Sequence, residues 1–426
     1  LAQAEGSAGG DRARRLELAG LWIVLSLAPA LLAALSWDPA QIGRAWQRSL
    51  AFYHLPALAV ELVAIILAVM GRVGPLTVFR RLPLPVQVGL GIVLAIAYGT
   101  TFLVAPSPGP ALIHTVLATL HLLFGLSLFG LASSYRRSPS EDARLWLWAG
   151  LGCVGYGLVL TAFVPAIPDE RTFDWRVFGL GVSNLRQIGF FAIVGACAGL
   201  GLAAQSKDRR WFLTGLTIAS IMVAVNVWSG SRGPLVAIAG AFALAMVALP
   251  GLDRNRAAAA FVLSLALGVA LSRIDVPDTA YCSLERIIGA NQLATPELVT
   301  SGRLSIWLGT IREIFERPLF GYGAAQFKTV VAEGRGVFNS PHNFPLQFWL
   351  QWGLVGGSIA LAALAYWWFR FMLRARIVAG SAPAVLVVNA LLIFGLFDVT
   401  FFYAYPIAMI IGGMVLVQTA DTDEKP

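Results

Sequence analysis

Apolar residues run through this chain in stretches of roughly 20, the length that crosses a hydrocarbon core of about 30 Å at 1.5 Å per helical residue. Bounded by charges, prolines or glycines, they lie near residues 18–36, 51–71, 86–104, 110–132, 145–167 and 185–204. A second set follows near 211–228, 233–250, 256–274, 344–372, 380–397 and 399–418. The pattern predicts an all-α integral membrane protein of about twelve transmembrane helices. Nine of them fill residues 18–274 and three fill 344–418, with tails at 1–17, expected to be disordered, and 419–426. Between the two blocks, residues 275–343 leave the membrane as one long loop. Within it Leu304, Trp307, Leu308, Ile311 and Phe315 recur at an amphipathic helix period. Thr300 or Ser301 can cap that helix and Arg317 followed by Pro318 ends it, which predicts a helix lying on the membrane face or over a cavity in it. No internal repeat is strong enough to propose a transporter's inverted halves.

Composition agrees with lipid as the main solvent. Hydrophobic residues make up 58% of the 426 and charged ones 13%, and the mean hydropathy is +0.74, far from soluble domains. The net charge of +8 raises the question of nucleic acid, but the arginines come in twos and threes between apolar runs and no basic patch is interleaved with exposed aromatics. They read as topology determinants. With the amino terminus in the cytoplasm, each internal cytoplasmic loop carries two or three basic residues and the short outer loops carry fewer, so both termini are expected inside. Of the three cysteines, Cys153 and Cys197 fall in expected spans and Cys282 in a loop, too scattered for a disulfide framework. The opening LAQAEGSAGG lacks an initiator Met and is left out of the fold.

The candidate chemistry collects on the non-cytoplasmic face. Asn184 is a plausible N-cap with Arg186 in the first turn after it. Arg232 precedes Gly233 and Pro234 at a helix start, and Arg303 opens the loop helix. A cation at a helix N-terminus is unfavourable by about 0.3–1 kcal/mol, and an anion there reverses the sign, since both helix amides and guanidinium forks bind phosphate. The bland alternative has these arginines reach lipid phosphates or pair with Asp169, Glu170, Asp174 or Glu285. His54, His114 and His121 lie in apolar spans, where a hydrogen-bonded packing role is expected. His342, between Pro341 and Asn343, differs: Asn343 can cap the following span, and an imidazole beside that helix start is suited to act as a neutral base. Glu61, within an apolar span, is either functional or one half of a structural pair. No metal-ligand cluster, Walker loop or dinucleotide fingerprint is present, so no cofactor or metal is expected, and arginines would stabilise developing charge.

Several of these residues fall into a known pattern. Ser301, Gly302, Arg303 and Leu304 with Trp307; then Pro318 to Gly323 (PLFGYG); then His342, Asn343 and Gln347 with Gly353 to Gly356 (GLVG) resemble the O-antigen ligase and polymerase superfamily. Ser231 to Pro234 (SRGP) and Asn184 to Gln187 (NLRQ) resemble its other motifs. Where the family usually has an acid a few positions after its HN motif, Gln351 stands here. The resemblance implies a metal-independent, inverting glycosyltransferase of the GT-C type, acting at the periplasmic face on a glycan carried by undecaprenyl pyrophosphate. Carried over residue by residue, Arg186, Arg232 and Arg303 would bind the pyrophosphate and His342 would activate the acceptor hydroxyl, with Asn184, Gln187, Ser301 and Asn343 in support. An O-antigen ligase, whose acceptor is the lipid A core in the inner membrane, is the first expectation. A polymerase and a protein O-oligosaccharyltransferase are its rivals within the family, and a transporter or lipid flippase is the rival from outside it.

Overall fold

The computed structural model describes residues 2–175, 178–205, 207–273, 281–289, 302–334 and 338–421, and among them the regular secondary structure is helical throughout. In chain order the helices are α1 (Ala2–Leu35), α2 (Ala45–Tyr53), α3 (Leu55–Met70), α4 (Pro75–Phe79), α5 (Leu84–Leu103) and α6 (Pro108–Ala132). Then come α7 (Pro139–Phe163), α8 (Ile188–Gln205), α9 (Arg209–Trp228), α10 (Arg232–Ala248) and α11 (Arg254–Leu271). The long loop carries α12 (Ser283–Ile288), α13 (Arg303–Glu316) and α14 (Phe327–Val330), and α15 (Phe344–Ala375), α16 (Ala382–Phe394) and α17 (Ala404–Thr419) close the chain. Eight of these are long and apolar enough to cross a membrane, or nine if the bent pair α2 and α3 is one span. Helices α10, α16 and α17 are apolar but shorter.

Local chemistry explains the ends. Asp208 and Asp253 accept backbone N–H bonds at the starts of α9 and α11, Asn343 does so at the start of α15, and Ser138 with Glu141 forms a reciprocal capping box on α7. The 58° bend between α2 and α3 falls at His54, whose φ of 49° is left-handed. Pro56 just beyond it cannot continue a helical ladder backwards. Helix α1 begins at Ala2, so it takes in the stretch expected to be a disordered tail.

The bundle is organised around α8. Every side chain from Ile188 to Ala204 is buried, and α7, α9, α10, α11 and α16 all pack on it. This requires small residues on all sides, because in lipid helices associate by close van der Waals approach and not by hydrophobic exclusion. A Cβ on Gly199 would lie 2.7 Å from the Ala219 amide nitrogen, and one on Gly215 the same distance from that of Ala203. The two backbones therefore meet where the glycines face each other.

Helix α15 is broken at Gly353, with φ 65° and ψ −177°, a conformation available essentially to glycine. The break frees backbone groups that lipid cannot satisfy, and the Pro318 to Gly323 loop satisfies them. Tyr322 N donates to Leu350 O (3.0 Å), Gly323 N to Gln351 O (2.9 Å), Leu354 N to Pro318 O (2.6 Å) and Val355 N to Leu319 O (3.3 Å). The PLFGYG and GLVG motifs are thus two halves of one backbone joint. Tyr322 also donates its hydroxyl proton to Glu313 at 2.8 Å, so the joint holds α13 against α15. Helix α13 buries Ile306, Thr310 and Ile314 in a small cluster with Tyr322, Phe327, Val331 and Leu350. Leu308, Ile311 and Phe315, expected as its apolar face, are exposed on the opposite side, an apolar stripe left for the surroundings. Thr300 and Ser301 lie outside the described residues; Gly302, left-handed with φ 79°, stands at the helix start without a side-chain cap.

Gly199→Val should strain the α8 and α9 contact by about 1–3 kcal/mol or more, lowering the melting temperature in detergent. Gly20→Val, where an added Cβ meets nothing within 4 Å, should leave it unchanged, and equal melting of the two variants would refute the crossing argument. Gly353→Ala forces an alanine into a glycine-only conformation against the Leu319 carbonyl. It should uncouple α13 from α15, detectable as faster proteolysis within 302–334 than in wild type.

Candidate functional site

Arg186, Arg232 and Arg303 enter from three different helix starts. Asn184 accepts the Arg186 N–H at 2.9 Å, capping a 3-10 turn (Leu185–Gln187) that continues into α8. Arg186 then reaches across the molecule, donating to the Ser229 carbonyl and to the Tyr281 carbonyl at 2.7 Å. Ser229 belongs to the tight turn between α9 and α10, in which Gly230 has φ 66° and Arg232 is the first residue of α10. Arg303 is the first residue of α13. The charges of Arg232, Arg286 and Arg303 all bear on Arg186, so the structure brings the three expected arginines together and adds a fourth, Arg286 of α12.

Four cations cannot gather around low-dielectric protein without compensation, and part of it comes from Asp398, in the turn between α16 and α17. Its Oδ2 accepts from Arg303 Nη2 at 3.0 Å. Its Oδ1 lies 3.3 Å from His342 Nδ1 and accepts the Val399 N–H at 2.8 Å. Asp398 is 8% exposed and Arg303 21%. Burial pushes the carboxyl up, but Arg303, His342 and the Val399 amide outweigh it and hold it below the usual carboxylate range. Where Gln351 stands in place of the family's usual acid, this carboxylate from another part of the chain faces the histidine. The sequence signal was an acid standing between two apolar runs, with no other Asp or Glu between Glu333 and Asp421.

His342 is fixed from several sides. Its φ of 54° is left-handed, its ring meets Phe338 edge to face, and Trp307 of α13 donates to the carbonyl of the preceding Pro341 at 2.9 Å. Asn343 caps α15 by accepting from Leu346 N at 3.0 Å, as its place in the sequence predicts. It also donates to Leu396 O at 3.0 Å, and Phe344 N donates to Gly395 O, which ties the histidine to the turn that carries Asp398. The expected helix start is therefore beside His342, but a carboxylate, not the helix end, contacts the imidazole. With Nδ1 engaged by Asp398, Nε2 remains to accept a proton.

The other expected residues have structural partners. Gln187 accepts from Ser183 N at 2.8 Å and donates to the Tyr403 hydroxyl, linking the start of α8 to the start of α17. Glu61 pairs with His121 of α6 at 2.8 Å, the structural pair that was one of its two readings. His54 departs from expectation: both ring nitrogens are buried without a hydrogen-bond partner, and the ring stacks on Tyr403. His114 packs against Phe402. Cys153, Cys197 and Cys282 are buried and are not joined in disulfides with one another. Among the described residues no three of His, Cys, Asp and Glu are grouped so as to hold a metal ion. A cavity of about 490 Å3 lies between α5, α6, α15 and α17, lined by His114, His121, Gln347, Phe348, Phe401 and Phe402 among others, and by none of the four arginines, Asp398 or His342.

The fold and site define a multi-pass membrane protein with a cationic centre joined to a histidine through a shared carboxylate. The sequence model of the O-antigen ligase family matches residues 217–361, and the chain's likeness to that superfamily is thereby shown over the segment holding Arg232, Arg286, Arg303 and His342. No curated protein matches the chain.

Since Asp398 is held below the carboxylate range in the fold, the unfolded chain takes up its proton at higher pH than the folded one. The stabilisation is complete above the unfolded pKa of about 3.9 and is lost as pH falls through the folded value. Asp398→Asn, which leaves Arg303 without its anion, should cost about 3 kcal/mol at neutral pH. The melting difference from wild type should shrink in acid; a pH-independent difference would mean the ion pair contributes nothing.

Proposed function

We propose that this protein is an O-antigen ligase: it transfers a glycan from undecaprenyl pyrophosphate to the lipid A core oligosaccharide at the periplasmic face of the bacterial inner membrane. The observation that carries the reading is the Arg303, Asp398 and His342 chain with the charges of Arg232, Arg286 and Arg303 all bearing on Arg186, in a chain whose middle segment matches the O-antigen ligase family. Counting the bent pair and the three shorter apolar helices as spans gives the twelve crossings expected from the sequence. With both termini cytoplasmic, the starts of α8, α10 and α15 then face the periplasm.

In this reading Nε2 of His342 removes the proton of the acceptor hydroxyl, and Asp398 on Nδ1 compensates the charge that the ring acquires. The freed oxygen attacks the anomeric carbon from the face opposite the pyrophosphate, the bond from that carbon to the phosphate oxygen breaks, and the configuration inverts. The leaving pyrophosphate gains negative charge as the bond breaks. Arg186, Arg232 and Arg303 therefore bind it more tightly in the transition state than in the ground state, as a divalent ion does elsewhere.

Purified protein should transfer labelled glycan from undecaprenyl pyrophosphate to core lipid with EDTA present. Wild type that is inactive until metal is added would overturn the arginine mechanism. His342→Ala and Arg232→Ala should each lower kcat by at least about 100-fold, the scale of one general base or one charge-stabilising donor, with unchanged melting. Full activity in His342→Ala would remove the base. In cells, loss of a ligase leaves carrier-linked polymer and bare core, whereas loss of a polymerase leaves core bearing single repeat units, and that result would move the protein to the polymerase branch.

A further inference from the structure

Arg286 has no role in the reading above, and its surroundings give it one. It lies on α12, at the rim of the site, and donates from Nη1 to the Gly230 carbonyl at 2.6 Å. Arg186 grips the same turn from the other side, through Ser229, and also holds the Tyr281 carbonyl just before α12. The packing there is close: a Cβ on Gly230 would lie 3.0 Å from Arg286 Cδ, 3.2 Å from the Tyr281 oxygen and 3.3 Å from Arg186 Nη1. The turn that launches Arg232 is thus clasped by two guanidinium groups.

Neither of these two arginines pairs with a carboxylate among the described residues; both donate to backbone carbonyls alone. Glu285, next to Arg286 in sequence, faces Arg273 at 3.9 Å instead. Partial burial, with the charges of Arg232 and, more weakly, Arg303, holds Arg286 below the usual arginine range. Burial acts most on Arg186, and among the arginines around it Arg286 comes first, then Arg232, then Arg303. Arg303, Asp398 and His342 are joined by hydrogen bonds at one end of the cluster, and Arg186 and Arg286 meet at the Ser229 to Gly230 turn that precedes Arg232. Asp398 sits at the histidine end, and among the described residues no carboxylate pairs with Arg186 or Arg286.

We infer that Arg286 is a fourth anion-binding arginine of this site and that, with Arg186, it holds the phosphate of the donor diphosphate that is remote from the sugar. The inference rests on the pyrophosphate reading and adds a polarity to it. The sugar-bearing phosphate sits by Arg303, within reach of the acceptor that His342 deprotonates. The polyprenyl-bearing phosphate sits in the clasp formed from α12 and the Ser229 to Gly230 turn. A polyprenyl monophosphate at the histidine end would not reach Arg286. The arginine is therefore a residue that selects diphosphate carriers over monophosphate ones.

The test is binding of farnesyl diphosphate and farnesyl monophosphate to the full-length protein in detergent. Wild type should prefer the diphosphate. Arg286→Gln removes one charge-assisted contact and should weaken diphosphate binding about tenfold or more, with monophosphate binding changed less than about twofold and melting unchanged. Arg286→Lys, which keeps a charge and one donor, should fall between the two and serves as the measure if the glutamine variant does not fold. An equal loss for both ligands would make Arg286 a support for the turn and nothing more. Unchanged diphosphate binding would overturn the inference while leaving the other three arginines in place. Wild type that does not distinguish the two ligands would instead overturn the pyrophosphate reading itself.

Discussion

A backbone amide in hydrocarbon has no water to bond to, so any break in a spanning helix must be satisfied by protein. The break at Gly353 in α15 is where this constraint shapes the molecule. The groups it frees are taken up by the Pro318 to Gly323 loop through four backbone bonds, and that loop continues directly from α13, which begins with Arg303. A helix of the long loop is in this way fixed to a helix of the bundle. Trp307 extends the connection to the residue before His342. Without the joint, Arg303 and His342 would sit on elements free to move apart, and Asp398 could not face both.

The second organising force is charge. Arginines at helix starts are disfavoured by the helix field and by one another, and the structure gathers four of them. Asp398 offsets one and orients the histidine in the same act. Arg186 and Arg286 each donate to carbonyls of Ser229, Gly230 or Tyr281, which fixes the turn before Arg232 and leaves the positive charge of both uncancelled by any carboxylate among the described residues. A polyanion is the chemical complement of that arrangement. The proposed transfer from a diphosphate carrier would use it most when the leaving group is most charged.

Much of this was legible in the sequence, because periodicity, caps and helix breakers act locally. Eight of the apolar runs correspond to long helices, one to the bent pair α2 and α3 and three to shorter helices; Asn184 and Asn343 cap where their position predicts, Arg232 opens α10, and Arg317 with Pro318 ends α13. The three arginines and His342 stand out for a local reason as well: each is a polar residue at a helix start on one end of an apolar bundle. The sequence could not show which face of α13 is buried, since both sides of that helix are apolar and only its contact with Tyr322, Phe327 and Leu350 decides.

What required the tertiary structure was pairing between distant segments. Asp398 lies 56 residues from His342 and 95 from Arg303, and nothing near it in sequence says which of the two it faces. Arg286, in a loop with few local signals, joins the site through a carbonyl 56 residues away. The PLFGYG and GLVG motifs read as separate signatures until the broken helix joins them. Local rules set by backbone geometry and the hydrophobic effect are written residue by residue. A carboxylate shared between a histidine and an arginine, or a turn clasped by two guanidinium groups, exists only once the helices have packed and brought those atoms within hydrogen-bonding distance.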